Sequence, residues 1–217
     1  MMKHLLIFIL ALICFQTLKA SNYPGYIIDN QNNRHNGYVQ MFKGFDKDIF
    51  LKTELEGTKK KIKSVELKEI GLYSENIKDT VIYTKHNAAE MLFGGKLKKL
   101  DEQVWAHQIY KSDKIEGYYA PSAISDVTNT PGGSTKTINE YQTFNGYIKL
   151  PQDNFIIFIY TKYGNGPIVV GGHKTMRTMF KYAVKKACPL IEEKLDKEKY
   201  KMEEFIKMLE GYTEFCK

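Results

Sequence analysis

The stretch QTFNGYIKLPQDNFIIFIYTKY (residues 142–163) holds two runs rich in Ile, Phe and Tyr, divided by PQDN. β-Branched and aromatic side chains suit a pleated, half-buried surface, and Pro, Asp and Asn turn the chain. The two runs therefore read as strands joined by a short turn. The same signal recurs on both sides. VWAHQIY and KIEGYYA precede the pair, separated by SDK, and PIVV follows it after YGNG. Nearer the N-terminus, GYIID and GYVQMF flank the polar loop NQNNRHN and suggest a hairpin. DIFLKTEL, KKIKSVEL, IGLYS and DTVIYTK then follow at short intervals. Many short strands at this spacing predict a mainly antiparallel sheet assembly, a sandwich or a partly open barrel.

Two segments break the pattern. Residues 121–139, PSAISDVTNTPGGSTKTIN, lack apolar periodicity and hold two prolines and adjacent glycines. They read as a long mobile loop, open to proteolysis near Lys136, of a kind that often carries function. From Lys174 the period changes. Met176, Met179, Phe180, Ala183, Val184 and Ala187 share one helical face, and Cys188 falls on the same stripe. Pro189 disfavours helical geometry at the residue before it, so this helix is expected to stop near Cys188. PLIEEKLDKEKY then leads into a last helix, with Met202, Phe205, Ile206 and Leu209 on one face and Cys216 beyond.

The first residues, MMKHLLIFILALICFQTLKASN, have the layout of a secretory signal peptide. Lys3 and His4 precede an unbroken apolar run from Leu5 to Phe15, too short for a bilayer, and cleavage is expected between Ala20 and Ser21. Ile13 stands before Cys14, where a lipoprotein signal needs a small residue. Removing residues 1–20 leaves 30 basic against 25 acidic side chains, a net charge of +5. That balance permits weak attraction to anionic surfaces but does not point to nucleic acid. No second long apolar run follows, so no transmembrane span is expected in the mature chain. Cleavage also reduces three cysteines to two, and an even count in an exported chain reads as a Cys188–Cys216 disulfide.

Motifs for chemistry are weak. GPIVVGGHKT (166–175) has glycines between a strand and a helix, but Gly172 and His173 interrupt the spacing of a phosphate-binding loop. The glycines read better as easing a tight connection. His35, His86, His107 and His173 show no metal-ligand spacing, and neither a metal nor a cofactor is expected. His35 reads as a solvated loop residue and His107 as packed within a strand. No G-x-S-x-G turn is present, and Asp101–Glu102 reads as a solvated turn. No catalytic residue is assigned. Lys59, Lys60, Lys61 and Lys63 enter a strand whose exposed edge they would guard, with weak contact to an anionic surface as a second reading.

The order of these segments resembles a loose group of uncharacterised exported proteins common in Bacteroidota. The likeness is carried by GYIIDNQNNRHNGYV, IKSVELKEIGLYS, the Tyr-rich sheet and a tail with ACPLIEEKL and a final cysteine. The NQNNRHN loop is longer than the asparagine–glycine turn of that group. The resemblance implies export and this architecture and supplies no catalytic residues.

The expected organisation is a signal peptide over 1–20, a β-rich region over 21–172 and a helical tail over 173–217. The class is α+β, with the tail packed on the sheet as part of one domain. The expected function is that of a non-enzymatic binding module acting in the periplasm, at the outer membrane or outside the cell. The alternative is a hydrolase of envelope glycan or peptide with a site assembled from distant residues. A cleft with two close carboxylates, or a histidine bonded to an acid, would favour the enzyme. An aromatic surface without such groups would favour binding.

Overall fold

The computed structural model describes residues 22–75, 77–92, 94–128, 137–163 and 172–216. Ten strands precede the helices. They are β1 (Asn22–Asp29), β2 (Arg34–Gln40), β3 (Asp48–Lys52), β4 (Lys59–Lys63), β5 (Leu67–Ser74), β6 (Asp79–Met91), β7 (Leu97–Lys111), β8 (Glu116–Thr128), β9 (Thr137–Lys149) and β10 (Ile156–Tyr163). The tail forms α1 (Gly172–Val184), α2 (Ile191–Glu198) and α3 (Phe205–Phe215). The class is thus sheet-rich α+β, as the strand and helix periods predict.

Adjacent strands pair in the order β10-β9-β8-β7-β6-β5-β1-β2-β3-β4, all antiparallel. One further pairing is parallel: Ile156–Phe158 of β10 lies beside Ala88–Glu90 of β6. β6 is long enough to serve two neighbours on one edge. Asp79–Thr84 pairs with β5, and the segment beyond pairs with β10 after a register shift near Asn87. Pairings from β6 through β10 and back to β6 therefore close a ring. One face of these strands is concave, because His86 of β6 and Tyr118 of β8 bring their ring centroids within 4.6 Å across the intervening β7. Ala88, Val104, Ala106, Tyr118, Ala120, Tyr147 and Ile156 fill that face. Three alanines among seven residues suit the small interior of so few strands.

The opposite face meets the helices. Ile148, Ile157 and Ile159 pack with Phe180, Phe205 and Leu209. A separate cluster over the N-terminal strands gathers Ile27, Val39, Ile49, Leu67 and Ile70 around Trp105, whose indole N–H donates to Ser64 Oγ at 2.8 Å.

Several sequence expectations change. Residues 121–128 and 137–139 are not loop: they continue β8 and β9, in register from Pro121↔Phe144 to Thr128↔Thr137. Composition misleads there because β7 leaves β8 at His107↔Tyr119. Pro121 thus needs no donor toward β7, and an edge position tolerates proline. Gly44 enters the gap instead, donating to Pro121 O at 2.7 Å while accepting from Trp105 N at 2.8 Å. A Cβ on Gly44 would stand 2.7 Å from a Val104 methyl, so only glycine approaches this closely. Lys136 and the strand expected at 167–170 lie outside the described residues. KKIKSVEL is not one strand, since a 3-10 turn over Ser64–Glu66 separates β4 from β5. Asp101–Glu102 lies within β7 rather than in a turn, and Glu102 pairs with Lys47 at 2.8 Å. α1 ends at Val184, short of Cys188, and the segment expected as a connector is helix α2.

The disulfide joins Cys188 to Cys216, with Cα atoms 5.5 Å apart. Cys216 caps α3, its N–H donating to Tyr212 O at 3.0 Å. Two further contacts tie the end of α3 to the sheet: Tyr110 O–H donates to Thr213 Oγ1 at 3.0 Å, and Lys114 Nζ to Thr213 O at 2.8 Å.

Candidate functional site

Strand register builds an aromatic row. Thr84 pairs with Ala106, so one step on Tyr83 of β6 faces His107 of β7. His107 pairs with Tyr119 of β8, Tyr119 with Gly146 of β9, and Gly146 with Tyr160 of β10. Facing residues point to the same side of a sheet, so these side chains share one surface. Tyr83 and His107 meet edge to face at 5.2 Å, and His107 and Tyr119 at 6.0 Å. Gly146 leaves room for the Tyr160 ring to lie over it, and the Tyr160 and Tyr119 hydroxyls then meet at 3.0 Å. Phe205 at the start of α3 stacks on Tyr119 at 6.0 Å, so the helical tail backs the row.

Above Tyr83, His107 and Tyr119 opens a groove of about 710 Å³. Phe144 of β9 extends its floor, tilted against Tyr119 at 5.9 Å. Tyr23 and Pro24 of β1 and Met41 beyond β2 form one side. The β5–β6 hairpin adds Leu72, Tyr73, Ile77 and Val81 to the lining. Tyr73 is 40% exposed and Ile77 62% exposed, large apolar side chains held in water at the rim.

The groove carries little charge. Glu75 is its one acidic side chain, and no Lys or Arg lines it among the described residues. Burial pushes the His107 pKa down to about 4, against a weaker upward pull from the Tyr119 backbone, so the imidazole is neutral at pH 7. Burial pushes the Tyr83 hydroxyl up to about 12 and raises that of Tyr119 as well. His107 Nδ1 is buried without a hydrogen-bond partner among the described residues. A buried polar atom left unpaired is costly and needs a reason.

The other histidines stand apart. His86, on the concave face of the ring, lies 2.9 Å from Thr84 Oγ1 and rests against Tyr118, whose hydroxyl donates to Glu116. Burial and the nearby Lys149 lower its pKa. His35 belongs to β2 rather than a loop, and its Nε2 sits 3.2 Å from Asp29 Oδ2. That carboxylate also accepts from the backbone N–H groups of Gln31 and Asn33. Bonding chiefly from Asn33 lowers its pKa to about 2. The Asp29–His35 pair thus braces an exposed hairpin turn. His173 is the second residue of α1. Among the described residues no three His, Cys, Asp or Glu side chains gather to hold a metal.

Lys59, Lys60, Lys61 and Lys63 form most of β4, the outer edge of the sheet. Two of them have local partners: Lys59 Nζ lies 3.8 Å over the Phe50 ring, and Lys61 pairs with Asp48 at 2.7 Å. No helix among the described residues is long and apolar enough to cross a membrane.

The aromatic groove was missed at the sequence level. Its walls come from six strands distant in sequence, and only the packing of His107 left a trace, as an imidazole between apolar neighbours. No family model, curated protein or solved structure matches the chain.

Proposed function

We propose that this chain is an exported, non-enzymatic binding module of the bacterial envelope or extracellular space, and that its ligand lies in the aromatic groove. We read the closed ring of β6–β10 as a small barrel carrying the groove on its outer wall. The observation that supports the reading is the groove itself: a concave wall of Tyr83, His107, Tyr119 and Phe144 under an exposed apolar rim. Sites of this size with apolar walls and few polar points are typical of small-molecule binding. The hydrolase alternative finds less support. His107 Nδ1 has no hydrogen-bond partner, acid or otherwise, among the described residues, and the Asp29–His35 pair is occupied in a turn. Export rests on the signal layout of residues 1–20 and on the resemblance to exported Bacteroidota proteins.

The test uses N-phenyl-1-naphthylamine, a dye that brightens on leaving water. The mature protein should bind it saturably. Replacing the exposed rim residues together, Tyr73→Ser with Ile77→Ser, should weaken binding roughly tenfold, as expected for two lost apolar contacts. Circular dichroism should stay unchanged. Unaltered binding in the rim variant would move the site elsewhere and overturn the proposal.

A further inference from the structure

From the chemistry of its lining, we infer that the groove selects an uncharged, largely apolar ligand bearing a flat ring, and discriminates against anions of the same shape. This inference rests on the binding reading above and adds the class of ligand.

Three observations carry it. First, the walls offer aromatic faces and edges in succession, from Tyr83 through His107 and Tyr119 to Phe144. Rings prefer offset or edge-to-face contact with such surfaces, so a flat ring gains more here than a flexible chain of equal area. Second, no cationic side chain lines the groove among the described residues to neutralise an acid. Lys and Arg are absent from its described lining, Glu75 stands at the rim, and the imidazole is neutral at pH 7. An anion entering such a site loses its water and gains no counter-charge, a cost that an uncharged ring avoids. Third, the rim presents the apolar side chains of Tyr73 and Ile77 to solvent in the same groove as the aromatic floor. The single imidazole leaves room for one neutral polar group, such as a hydroxyl or carbonyl. An anionic headgroup meets no cationic side chain among the described lining residues.

The experiment compares two dyes on one skeleton. N-Phenyl-1-naphthylamine is uncharged, and 8-anilinonaphthalene-1-sulfonate adds one sulfonate to the same rings. Both are titrated into the mature protein at pH 7 and moderate salt, each also in competition with the other. The uncharged dye should bind at least roughly tenfold more tightly, because the sulfonate is desolvated without a partner. Ile77→Lys places a cation on the exposed rim and should narrow the gap by strengthening sulfonate binding. Ile206→Lys, at a 41% exposed position on α3, should leave both affinities unchanged. Equal affinity for the two dyes, with mutual displacement, would overturn the charge selection while leaving the groove as a binding site. Failure of both dyes to bind would overturn both readings. An equal gain from Ile206→Lys would show that overall charge, not the groove, sets the preference, and would also overturn the inference.

Discussion

His107 shows how one side chain is held largely by its neighbouring rings. Tyr83 and Tyr119 flank it edge to face, and its Nδ1 stays unpaired among the described residues. Folding thus shelters a neutral imidazole whose pKa is about 4, below the ordinary 6.5. The unfolded chain takes up the proton first as pH falls. This contribution to stability is complete above about pH 6.5 and is lost as pH falls toward 4, by on the order of 2–3 kcal/mol. Urea midpoints measured at pH 7.5 and pH 5 should therefore differ more for the natural chain than for His107→Phe, which keeps a ring but cannot titrate. Equal differences would show that His107 is as easily protonated folded as unfolded. His86 shifts in the same direction, so the comparison with the variant, not the raw pH profile, isolates His107.

Among the elements, the helical tail depends most on one covalent link. Cys188 and Cys216 are 28 positions apart, which corresponds to about 3–4 kcal/mol on the chain-entropy account. Cys216→Ser should lower stability by about 2–5 kcal/mol. It should free the amides of α3 to exchange faster than those of β6 or β7. The mature protein, freed of residues 1–20 with Cys14, should show no free thiol without reductant. A free thiol there, or an unchanged midpoint in the variant, would refute the role assigned to the bridge. Because Phe205 backs Tyr119, loosening α3 should also weaken dye binding in the groove.

The elements also show what the sequence made legible. Apolar alternation announced most strands, and the helical stripe through Met176, Phe180 and Val184 announced α1, because both periods are local. The extended β8–β9 hairpin escaped notice, since its Pro, Ser and Thr content imitates a loop while cross-strand pairing holds it in register. Helix α2 escaped as well: only eight residues long and mostly charged, it shows the core little more than Ile191 and Leu195. The groove was illegible for a different reason. The alignment of Tyr83, His107 and Tyr119 follows from register, and register depends on every turn and bulge between them.

For the molecule as a whole, the other readings depend on the export proposed above. The apolar run from Leu5 to Phe15 and the small residue Ala20 predict cleavage before Ser21. Mass spectrometry of protein from its native envelope fraction should find Ser21 at the N-terminus. An intact Met1 form confined to the cytosol would remove the oxidising setting that the disulfide requires.

The parallel join between β6 and β10 has a consequence for how the chain reaches this form. Every antiparallel step from β6 to β10 links neighbours in sequence, and each can form soon after its turn closes. The pairing of Ala88 with Ile156 must wait for all of them. Contacts of such long sequence separation slow folding, because loop entropy is lost before the contact repays it. The folding chain would thus pass through a state in which hairpins are made but Ala88–Glu90 still offers an open edge. An unpaired edge in such a state invites association with other chains. Pairing with β10 would end that exposure, so chains truncated before Ile156 should associate more readily than the full chain.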